Sequence, residues 1–123
     1  MSDLNPKGVP VVLGGEERRL LFSLNVICEA QEHYDCSLEE VANRLIDERT
    51  SAETLRFLVT EMLNDEALDS HEKGKTYTEK EVGRLISLEN LLDVTRAVFK
   101  AYGLTLPKPD EYSSPNGESG QSE

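Results

Sequence analysis

Positive charge, cysteine and long apolar runs are all scarce in this chain, and each scarcity argues against a class of protein. Only 13 Lys and Arg stand against 24 Asp and Glu in 123 residues, a formal charge of −11. A field of that sign repels phosphates, so direct binding to nucleic acid or to an anionic membrane is not expected. Two cysteines, Cys28 and Cys36, are too few for the disulfide framework of small secreted folds, which points to a reducing cytoplasm. Met1 to Lys7 has no cationic stretch leading into an apolar segment, so no secretory signal is expected. The longest apolar runs, Val9 to Leu13 and Leu20 to Phe22, fall far short of the roughly 20 residues that cross a bilayer. Hydrophobic residues still make up 37% of the chain, enough to bury a core, and the length suits one compact domain.

Patterning predicts a mainly α fold, a small α+β domain over residues 9–104 with an N-terminal β-hairpin packed on about five helices. The hairpin, 9–22, has β-branched and apolar residues on both sides of Gly14-Gly15, a pair suited to a turn with positive φ. Val9, Val11 and Leu13 share one face, with Leu20 and Phe22 opposite, and Pro10 marks an edge strand because it has no N–H to donate. Three Ser/Thr-x-x-Glu capping boxes follow, Ser37/Glu40, Thr50/Glu53 and Thr78/Glu81. With the apolar periodicity they predict helices at about 24–34, 38–48, 51–68, 79–86 and 88–102.

The inner faces expected are Leu24, Ile27, Cys28 and Tyr34 in the first helix and Leu38, Val41, Ala42, Leu45 and Ile46 in the second. The third offers Ala52, Leu55, Leu58, Val59, Met62 and Leu63. Tyr77 can staple to Val82 ahead of the fourth, and Ser87 caps a fifth with Leu88, Leu91, Leu92, Val98, Phe99 and Tyr102. Gly103 supplies its stop, with Leu104 packing back. Asp69 to Thr76 reads as a polar loop, residues 1–8 as a flexible N-terminus, and 105–123, rich in Pro, Ser, Gly and acids, as a disordered tail. Acidic excess concentrates in residues 37–69, at −6, whereas residues 70–104 carry +1 and 105–123 carry −3.

Catalytic and metal signatures are weak. Cys28, His33 and Cys36 lack C-x2-C spacing and a fourth zinc ligand, so Cys28 reads as a small core residue, Cys36 as a staple beside Val41 and His33 as exposed. His71 has no neighbouring nucleophile to activate. Gly14-Gly15 is not followed by Lys-Ser/Thr, and Asp65, Glu66, Asp69 and Glu72 lack the order of a calcium loop. No enzyme, cofactor or metal is expected. Tyr77 to Ile86 has the look of the first helix of a helix-turn-helix reader, but the helix after it offers only Arg96 and Lys100 as cations.

Three stretches taken in order resemble a known family. Val9-Pro-Val-Val-Leu-Gly-Gly-Glu-Glu-Arg-Arg-Leu-Leu-Phe-Ser-Leu-Asn-Val-Ile-Cys-Glu-Ala-Gln-Glu is similar to the N-terminus of tail assembly chaperones of long-tailed bacteriophages and related gene-transfer-agent tail proteins. Leu55-Arg-Phe-Leu-Val, and Tyr77 to Ile86 followed by Leu88-Glu-Asn-Leu, resemble that family's middle helices; together the likeness spans roughly residues 9–104. It implies a non-catalytic protein of the bacterial host cytoplasm, absent from the mature virion. Such a protein binds and solubilises the tape measure protein during tail assembly and helps recruit tail tube protein subunits. Self-association as a homo-oligomer and a longer product made by ribosomal frameshifting, joined within 105–123, are implied with it. Client binding requires an accessible apolar surface. Phe57, opposite the main stripe of the third helix, and Val94 with Ala97, off the stripe of the fifth, are its candidate residues; the other reading of Phe57 is a third helix buried on two sides. The alternative function is an acidic regulatory adaptor, either a DNA mimic or a degenerate helix-turn-helix protein.

Overall fold

A computed structural model describes residues 8–69 and 76–103. The polar loop with His71 and Glu72, residues 1–7 of the N-terminus, Leu104 and the acidic tail fall outside the described residues. Within them the chain is mainly helical, with an N-terminal antiparallel hairpin, as the patterning predicts. β1 (Val9–Leu13) pairs with β2 (Glu16–Leu20) in the register Val9↔Leu20 to Leu13↔Glu16. Gly14 and Gly15 between them have φ of 61° and 82°, the conformation that matches a two-residue turn to the twist of its strands. Val9, Val11 and Leu13 are buried while Pro10 and Val12 face solvent. Hydrogen-bonded and non-hydrogen-bonded pairs alternate away from the turn, so Pro10 opposite Arg19 falls where no N–H is needed. β2 ends at Leu20, and Phe22 continues inward to meet the Tyr102 ring edge-on at 6.0 Å.

α1 (Leu24–Tyr34) starts at Ser23, whose Oγ accepts from the Val26 amide, and stops at Asp35 in the left-handed region. Its inner face is Val26 and Ala30, with Ile27 and Tyr34 at the margins. The expected face is therefore rotated: Leu24 is 74% exposed and Cys28 is exposed. Two apolar stripes overlap on this short helix, and the one carrying the small Ala30 allows the closer packing on α3. α2 (Leu38–Ile46) carries the complete Ser37/Glu40 box and buries Val41 and Leu45, but it ends two residues short of the expected 48, and Ile46 is left exposed at its last turn.

α3 (Ser51–Asp69) is the central element, packed against α1, α2, β2, α4 (Glu79–Leu85) and α5 (Leu91–Gly103). Leu55, Leu58, Val59, Met62 and Leu63 are buried on one side and Thr54, Phe57 and Thr60 on others, while Ala52, expected inside, is exposed. The Thr50/Glu53 capping box does not form. Thr50 Oγ1 donates instead to the Arg44 carbonyl at 2.7 Å, and Glu53 is engaged by side chains of α1 and α2. The Thr78/Glu81 box is complete at the head of α4, where Val82 is buried and Tyr77 packs on the core.

Asn64 fastens the approach to α4. Its Oδ1 accepts from the Tyr77 amide at 2.6 Å and its Nδ2 donates to the Tyr77 carbonyl at 3.1 Å, so one side chain satisfies both backbone groups. Asn64→Ala is expected to cost about 1–3 kcal/mol, because half-buried backbone groups lose their partners. Chemical denaturation with an unchanged denaturant slope measures it.

α5 begins three residues later than the sequence pattern predicts. Ser87 to Asn90 form a turn in which Asn90 Oδ1 accepts from the Ser87 amide at 2.8 Å and Asn90 Nδ2 donates to the Leu85 carbonyl at 2.9 Å. The buried face of α5 is Val94, Ala97, Val98 and Ala101. Leu88, Leu91 and Leu92, expected inside, lie at the surface.

Candidate protein-binding surface

Phe57, Val94 and Ala97 do not form an accessible apolar face. Phe57 is 5% exposed, Val94 is fully buried and Ala97 nearly so. The correction has a packing cause: β1 lies on the Val94–Ala97 side of α5, and the α1–α2 pair covers the Phe57 side of α3. Over Phe57, the His33 ring stacks at 4.1 Å and the Tyr34 ring meets it edge-on at 5.4 Å. Arg44 lies 4.1 Å from the Tyr34 ring centre and 3.4 Å from Glu53, whose Oε1 accepts from the Tyr34 hydroxyl at 2.8 Å. This is a structural clamp joining three helices.

Burial, and then the hydrogen bond to Glu53, push the Tyr34 hydroxyl up to about 12. The folded state therefore holds this proton more tightly than the unfolded chain does. The resulting stabilisation is complete below pH 10 and is lost as pH rises from about 10 to 12. Ultraviolet titration of the four tyrosines is expected to show a late-ionising fraction that disappears in Tyr34→Phe.

Val12, Leu21, Leu24 and Ile46 are exposed at separate places in the chain, and three further accessible leucines fall together at the α4–α5 junction. Leu88 is 92% exposed, Leu92 58% and Leu91 38%, all within five consecutive positions. Leu88 lies within the Asn90 turn, whose geometry is held by the Asn90 side chain accepting from the Ser87 amide and donating to the Leu85 carbonyl. Beside these leucines runs a shallow groove of about 380 Å³ between the start of α3 and the α4–α5 segment. Ala52, Leu55, Gly83, Ile86 and Leu91 line it together with Glu53 and Arg56. A Cβ at Gly83 would come within 3.3 Å of Arg56 Cδ, so glycine allows α4 its close approach to α3. Arg56 Nε reaches Glu79 Oε1 at 3.5 Å across that same approach. The mostly apolar lining suits capture of apolar side chains from another polypeptide.

Other chemistry finds little support among the described residues. No group of three or more His, Cys, Asp and Glu is placed to hold a metal ion, and no helix is long and apolar enough to cross a membrane. α5, in the position of a recognition helix, turns its small residues into the core and has Asp93 in its first turn. No family model, curated protein or solved structure matches the chain. The surface leucines were missed in the sequence because Leu88-x-x-Leu91-Leu92 continues a helical stripe on paper. The available signal was Asn90, a second capping residue three positions after Ser87.

Proposed function

We propose that this chain is a non-enzymatic tail assembly chaperone of the long-tailed phage type. It acts in the bacterial host cytoplasm, where it binds and solubilises the tape measure protein and helps recruit tail tube subunits. The observation that carries the reading is the cluster of Leu88, Leu91 and Leu92 at the surface beside an apolar groove, on a chain of charge −11. Exposed leucines supply non-directional, reversible contact with an apolar polypeptide, and the single-sign charge keeps the loaded complex dispersed. Self-association and a longer frameshifted form belong to the same proposal and rest on the family likeness alone.

The test is co-expression with a tape measure protein of a long-tailed phage, the client that the proposal names. The chain is expected to move that polypeptide from the insoluble to the soluble fraction and to co-purify with it. A client equally insoluble with and without the chain contradicts the proposal.

A further inference from the structure

The outer side of α5 carries four charges beside an apolar seam. Glu89, in the turn that leads into the helix, and Asp93 are acidic; Arg96 and Lys100, further along, are basic. All four are exposed, and none is ion-paired with a described residue. The seam is Leu92, 58% exposed, and the half-buried Phe99. At 100° per residue these two stand about 160° and 140° from the buried Val94, so they point away from the core. β1 lies on the Ala97 side of α5 and the α3 groove opens on the Leu91 side, and both leave this outer face in solvent.

We propose that α5 is the pairing surface of a weak antiparallel homodimer of this chain. The order of signs selects the second copy. Acid first and base last sets like against like in a parallel, in-register pair and opposite against opposite in an antiparallel one. All four charges lie on one side of the seam, and a two-fold axis brings that side of each helix together. A register that sets Asp93 against Arg96 of the second copy also sets Glu89 against its Lys100, because both pairs are centred between Val94 and Thr95. Leu92 then falls within about 3 Å, along the axis, of Phe99 of the second copy. The helix macrodipole favours the same order of signs within one chain, and opposed dipoles favour the antiparallel pair as well.

Other helices lack the combination. α1, with Leu24 exposed, has Glu29 and Glu32 but no Lys or Arg, and α2, with Ile46 exposed, has its one cation, Arg44, held by Glu53. α4 carries Lys80 and Arg84 unpaired but no exposed large apolar residue. One helix pair of this length falls below the roughly 800 Å² per partner of a standard interface, so the dimer dissociates readily. Resting on the preceding reading for Leu92 as a contact residue, the pairing makes client and second copy compete for that side chain.

Sedimentation equilibrium of the full chain, over a micromolar-to-millimolar series, tests this. The unaltered chain is expected to dimerise. Arg96→Glu/Lys100→Glu and Glu89→Lys/Asp93→Lys are each expected to weaken self-association at least tenfold, since every cross-helix pair then joins like charges. Mixing these two variants is expected to restore a dimer, although both remain strongly acidic and their net charges repel. Exchanging all four charges in one chain is expected to restore the homodimer, which the antiparallel register allows and the parallel one does not. An unaltered chain monomeric throughout, a dimer indifferent to either reversal, or variants that stay monomeric when mixed would overturn the proposal. A chain that fails these tests yet still solubilises the client loses the pairing and keeps the chaperone reading.

Discussion

Phe57→Ala is expected to cost about 3–5 kcal/mol, the largest stability loss foreseen for a single substitution here, because it opens a cavity between α3 and α1. The ring is buried in α3, stacked under His33 and edged by Tyr34, and its removal deprives both of their packing partner. A small domain has a total stability of only about 5–15 kcal/mol, so the variant should sit close to its unfolding threshold. Urea unfolding followed by circular dichroism measures it: the midpoint should fall while the slope holds. Phe57→Leu should recover part of the loss, since a branched aliphatic side chain refills most of the space. An unmoved midpoint in Phe57→Ala would return the ring to an accessible face and make it a contact residue after all.

Leu88→Ser/Leu91→Ser/Leu92→Ser is expected to do the reverse, sparing stability and abolishing client binding. Leu88 and Leu92 are mostly exposed already, so polar replacement there forfeits little burial, and surface changes of this kind fall within about 0.5 kcal/mol each. Leu91 reaches the groove beside Ile86 and carries the larger share of any loss. In a complex, by contrast, each buried leucine is worth about 1.5–3 kcal/mol relative to its exposed state. Losing three would weaken binding by at least a hundredfold. The variant should keep the wild-type unfolding midpoint within a few degrees while its co-expressed client returns to the insoluble fraction.

The contrast between these two variants also marks where the sequence was readable. Ser37/Glu40, Thr78/Glu81 and the Gly14-Gly15 turn are local devices, satisfied by residues within three or four positions, and each forms as read. Thr50/Glu53 has the same spacing and fails, because Tyr34 and Arg44 offer Glu53 partners from elsewhere in the chain. α1 and α5 were legible as helices but not in rotation. α5 has apolar residues at 91, 92, 94, 97, 98, 99, 101 and 102, an arc of about 220° at 100° per residue, so periodicity excludes the Asp93–Arg96–Lys100 side but does not say which part of the wide apolar arc goes inward. The choice falls to β1, which lies against the side where Ala97 and Ala101 keep the helix surface low. The candidate site moved with that rotation: the residues read as surplus became core, and three read as core became surface.

Hydrogen exchange of the chain, alone and with its co-purified client, tests the central claim most directly. Slowed exchange confined to the Ser87–Asp93 segment and the facing start of α3, around Ala52 to Arg56, is the predicted result. Protection centred on α1 and α2, or none at all in a complex that still co-purifies, would contradict it.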